Sequence, residues 1–126
     1  MAVITITQAG TYKVSPGDTF IIGPGVKGDV DFYAAHDAPR PVDFAIELNE
    51  SPTHDRDIKI DIKGHNDLRP AIKIADGYVG PETEFDLKDA AGSELSTGDD
   101  VIIGKLEASE DGRDVTTVGT LDRDEL

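Results

Sequence analysis

The residues best suited to chemistry in this 126-residue chain are three histidines and a large surplus of carboxylates. His54-Asp55-Arg56-Asp57 and His65-Asn66-Asp67 each place an acid near an imidazole, the arrangement that orients a general base. His36 stands alone. All three lie in stretches that read as loops, where histidines beside acids are usually plain surface residues. A nucleophile needs a base within hydrogen-bond reach. The chain has no cysteine, and none of its serines sits in a Gly-x-Ser-x-Gly elbow. The sequence therefore names no catalytic residue and predicts no enzyme.

Metal binding is the better chemical reading of the acids. Asp29 and Asp31 follow the glycine-rich corner Gly23-Pro24-Gly25-Val26-Lys27-Gly28, and Asp99-Asp100 offers hard oxygen ligands in another loop. Neither matches the twelve-residue calcium loop, which needs oxygen ligands at fixed alternation and a terminal glutamate. No cofactor is expected, and no more than weak calcium binding. Asp29/Asp31 and Glu84/Asp86 alternate along strands, the pattern of a solvated sheet face. Gly23-x-Gly25-x-x-Gly28 matches a dinucleotide fingerprint by letter only. Pro24 has no amide to offer a phosphate, and acidic strand follows where a helix is required.

The elements that must carry these residues follow from period two. Ile58, Ile60 and Ile62 alternate with Lys59, Asp61 and Lys63; Ile72 and Ile74 flank Lys73. Val30 and Phe32 alternate with Asp29, Asp31 and Tyr33. Val42, Phe44, Ile46 and Leu48 alternate with Asp43, Ala45 and Glu47, and Phe85 and Leu87 resume the pattern. Such alternation makes strands with one oily and one wet face. Glycine and proline punctuate them, as in Ser15-Pro16-Gly17-Asp18, where proline presets one turn position and glycine accepts positive φ at the next. Val3–Thr7 and Thr11–Val14 are close enough for a hairpin. Only Lys88-Asp89-Ala90-Ala91 suits a helical turn.

The expected fold is all-β, an antiparallel sandwich or barrel of about nine or ten short strands with at most one short helical turn. Two observations favour antiparallel pairing: no helix is available to cross between parallel strands, and no fixed period of 20–30 residues betrays a coiled solenoid. A single domain over residues 1–126 is expected, with 1–7 as an N-terminal arm or edge strand.

The net charge is −14, from 26 acids against 12 bases. Such a surface repels nucleic acid and anionic membranes, so neither is an expected partner. Lys59, Lys63 and Lys73 suggest cross-strand ion pairs more than a basic stripe, since Asp61 sits among them. Neither a signal peptide nor an apolar run long enough to span a bilayer is read.

Gly17-Asp18-Thr19-Phe20-Ile21-Ile22-Gly23 and Gly98-Asp99-Asp100-Val101-Ile102-Ile103-Gly104 share one phrase, a turn entering an apolar strand. That phrase, followed by short β segments over Ser96–Leu121 in an acidic chain, resembles the small all-β decoration or cement proteins of tailed-phage heads. The resemblance implies a virion protein, in the host cytoplasm during assembly, that binds a major capsid or other shell subunit. It further implies a homo-oligomer, with a trimer favoured, and an N-terminal arm that adds to a neighbour's sheet. The expected partner contacts are Ala2, Val3, Ile4, Thr5 and Ile6, with Pro24, Val26, Pro39, Arg40 and Pro41 in the loops. The alternatives are a β module that binds carbohydrate or calcium, and an acidic inhibitor that mimics DNA.

Overall fold

The structure, a computed structural model, describes residues 1–60, 66–75 and 81–86 in full. It describes the backbone alone at 61, 87–88, 94–97, 101–102, 105–108, 115–118 and 121–122. The described residues are all-β. Strands β1 (Val3–Ile6), β3 (Thr19–Ile22), β5 (Val42–Leu48) and β7 (Leu68–Ile74) lie side by side in one sheet, every neighbouring pair parallel. Strands β2 (Gly10–Val14), β4 (Gly28–Ala34), β6 (Arg56–Asp61) and β8 (Thr83–Lys88) form a second sheet, again parallel throughout. The chain therefore winds in coils, passing from one sheet to the other and back.

This overturns the antiparallel sandwich or barrel. A parallel pair does need a long crossover, but here the crossover is a strand of the opposite sheet, so no helix is required. The proposed hairpin of the first two strands does not form either, since β1 and β2 belong to different sheets. The consecutive strands β6 and β7 also belong to different sheets. The predicted helical turn at 88–91 begins in β8 and otherwise lies outside the described residues. So does Ile62.

The coil period was hidden by unequal corners. In the first sheet Val3 stands beside Thr19, an offset of 16 (3 to 19), while Thr19 stands beside Ala45 and Val42 beside Leu68, offsets of 26 (19 to 45, 42 to 68). In the second sheet the offsets are 20, 28 and 27 (Gly10 to Val30, Gly28 to Arg56, Arg56 to Thr83). Only the first coil is short.

Period two places the core correctly. Ile4, Phe20, Ile46 and Ile72 stack in register on the inner side of the first sheet. Val30, Ile58 and Phe85 do so on the second. The two inner faces meet at an aromatic cluster, with Phe20 and Phe32 4.9 Å apart between ring centroids and Phe44 5.5 Å from Phe32. Tyr12 packs edge-on against Phe20 and donates its hydroxyl to the Gln8 carbonyl at 2.6 Å, so it closes the core at the first coil. At the other end the direction of the chain reverses. β9 (Glu94–Thr97) pairs antiparallel with β8, and β11 (Lys105–Ala108) pairs antiparallel with β7. β12 (Val115–Val118) then pairs with β11, and the short strands β10 (Val101–Ile102) and β13 (Leu121–Asp122) pair with each other. Among the described residues no helix is long and apolar enough to cross a membrane.

Candidate functional site

The corners stack as two columns on opposite sides of the coils, and this separates the residues expected to act together. His54 lies on one side, in the corner between β5 and β6; His36 lies on the other, between β4 and β5. Both are exposed, and His65 is outside the described residues. The acids and amides beside the histidines join coil to coil instead of orienting a base. Asp55 accepts the Glu82 amide at 2.9 Å, and Asn66 accepts the Ala34 amide at 2.9 Å. Asp67, at a positive φ of 41° that short polar side chains tolerate, faces Arg69 at 3.6 Å.

The outer face of the second sheet carries rows of acids. Asp29, Asp57 and Glu84 stand side by side in register, and Asp31, Lys59 and Asp86 form the next row. Like charges facing each other across strands repel. Lys59 reaches diagonally to Asp29 at 3.3 Å. The hydrogen bond and charge of Asp29, with lesser help from Asp86 and Asp31, hold its ammonium above the ordinary lysine value of 10.5. An ammonium thus sits beside Asp29, one of the candidate ligands for weakly bound calcium. Among the described residues no group of three or more histidines, cysteines or acids is arranged to hold a metal. Asp99 and Asp100 lie outside them. Lys73 is on the first sheet, so it shares no face with Lys59.

The expected partner residues are divided as well. Pro24 sits in the corner between β3 and β4, where its carbonyl accepts the Thr53 amide at 2.9 Å. Pro39, Arg40 and Pro41 sit in the opposite column, where Arg40 donates to the carbonyls of Ala35 and Ala38. Val26 and Ile6 are fully buried and serve the core, which removes their side chains from any partner surface. Val3, Ile4 and Thr5 remain, on the outermost strand of the first sheet, with Ala2 just before it.

Two side chains that sequence reading did not single out tie neighbouring coils together. Asp18, 6% exposed, accepts the amides of Ala2 and Ser15, both at 2.9 Å. It ties β1 to the turn before β3, and Gly17 beside it takes the positive φ (82°) that the turn predicts. Arg56, read as the end of a polar loop, is 2% exposed and opens β6 facing inward. It stands in register between Gly28 and Thr83, donates to Thr83 Oγ1 at 3.0 Å, and reaches the Gly23 carbonyl. Its register neighbour Gly28 adopts φ +97°.

The least satisfied backbone among the elements described in full is the open side of β1. Ala2 and Ile6 carbonyls accept the amides of Thr19 and Gly23 at 2.8 and 2.9 Å. Alternation therefore turns the amides and carbonyls of Ala2, Ile4 and Ile6 toward β3, and those of Val3 and Thr5 outward. Val3 is 71% exposed and no charged residue lies on the strand. On β2 the Val14 carbonyl accepts the Ala35 amide, so Thr11 and Lys13 face outward there. Comparison with family models, curated proteins and solved structures found no match.

Proposed function

We propose that the chain is a non-enzymatic structural protein that acts by contact with other proteins, most concretely a decoration or cement protein that stabilises a virus head by binding shell subunits. One observation carries this reading, the uncharged open side of β1. Sheet edges are normally guarded by lysine, proline, a bulge or a covering segment, because a bare edge recruits further strands. β2 has such a guard in Lys13, whereas among the described residues β1 has none. A bare edge on a rigid coil is a means of joining proteins by strand addition. The acidic outer face of the second sheet keeps the rest of the body soluble and away from nucleic acid. The resemblance to phage head proteins supplies the virion as the setting and a homo-oligomer as the working form.

The test is a gradient of particles from cells that produce the chain, probed with an antibody against it. The wild-type chain is expected to sediment with capsid-sized particles. Thr5→Pro removes one outward amide and spares the bonds to β3. It should keep its far-ultraviolet circular dichroism and lose most of that co-sedimentation. A wild-type chain that stays at the top of the gradient would overturn the capsid reading. A Thr5→Pro chain that sediments normally would remove the role of the edge.

A further inference from the structure

We infer that the first occupant of the open β1 edge is a second copy of this chain, joined end to end about a twofold axis through Ile4. The inference rests on the contact role of this edge proposed above and names its partner. Charge supports a second copy first. The chain carries −14, so two copies repel over most of their surfaces. No acid or base occurs among the side chains of residues 1–12, position 13 is a lysine, and the first acid, Asp18, is buried against backbone amides. The first coil is thus the place where two such molecules can approach.

The backbone supports it independently. With Val3 and Thr5 facing outward, an antiparallel β1 pair centred on Ile4 sets Val3 of each copy opposite Thr5 of the other. Each such pair exchanges two backbone hydrogen bonds. The same axis serves the second sheet. Centred on Tyr12, it sets Thr11 opposite the other copy's Lys13, so no lysine faces a lysine. Ile4 and Tyr12 lie on facing sides of the core, since they are the register neighbours of Phe20 and Phe32, whose rings touch. One axis therefore satisfies both edges.

Burial gives the third argument. Phe20, Ile46 and Ile72 are buried, but Ile4, the first member of that row, is only partly so, as is Tyr12. Both residues would meet their own mates at the axis, and the core would continue across the junction. The resulting contact is isologous, so it closes at a pair instead of the trimer implied by the resemblance.

The absence of cysteine makes the register directly testable on the purified chain. Light scattering should give twice the 13.5 kDa chain mass. Chains carrying Val3→Cys, mixed with chains carrying Thr5→Cys, should form a disulfide under mild oxidation at least about tenfold faster than either variant alone, because a hydrogen-bonded antiparallel pair has Cα atoms about 5.5 Å apart, inside the range a disulfide spans. Thr5→Pro should give a folded chain of single mass. A wild-type chain that scatters as one or three copies, or cysteines that pair equally well without mixing, overturns the twofold. Single mass together with particle binding that Thr5→Pro abolishes would sink this inference and leave the contact reading standing. A dimer of the stated register that binds no particle would do the reverse.

Discussion

Arg56 shows how one side chain can hold a corner. Its guanidinium spans from Thr83 in the next coil to the Gly23 carbonyl in the preceding corner, inside a body otherwise filled with aliphatic and aromatic groups. Replacing it by alanine leaves that carbonyl without its buried donor and opens a void between Gly23 and Thr83. We expect Arg56→Ala to cost about 2–4 kcal/mol, the range for stranding a buried polar group beside a new cavity. In urea denaturation the midpoint should fall with the slope unchanged. Arg56→Lys should lie between, since an ammonium cannot reproduce the planar fork. Nothing in His54-Asp55-Arg56-Asp57 distinguishes this arginine from its exposed neighbours. Its role is set by a pairing visible only when the coils are wound, which places it between Gly28 and Thr83.

At the scale of elements, alternation was legible and direction was not. Ile58 and Ile60, Val30 and Phe32, and Val42, Phe44, Ile46 and Leu48 all face inward as their period requires. Period two, however, is the same for parallel and antiparallel neighbours. The deciding quantity is the offset between partners, and the short first coil and uneven corners blur it. The candidate acids were legible as a wet face, but not their stacking. Asp29, Asp57 and Glu84 come side by side only because the parallel register brings them there. Lys59 offsets that repulsion, and Lys59→Met should lower the melting temperature at low salt. The deficit should shrink in 1 M salt, where charges are screened beyond about 3 Å. Because the folded-state value of Lys59 is raised, its contribution is complete below the unfolded value of 10.5 and is lost as pH climbs through the higher folded value. The gap between wild type and variant, followed by thermal melts, should therefore hold from neutral pH to about 10 and close above the lysine titration.

For the whole molecule, the coils form a stacked core with two different ends. One is a bare first coil sealed by Tyr12, and the other is ended by strands that run backward on β7 and β8. Repeating coils generally need a cap at each end to stay soluble. Reversed strands supply one here, and a second copy supplies the other in the arrangement inferred above. The parallel winding also bears on time. No two neighbouring strands among β1–β8 are consecutive in the chain, so no local hairpin can nucleate the parallel part. Each pairing must first close a long loop, whose entropy is lost before any contact repays it. Stopped-flow refolding should accordingly run in roughly milliseconds to seconds, the range of β proteins dominated by distant pairings, and a microsecond phase that restores full native signal would contradict the winding.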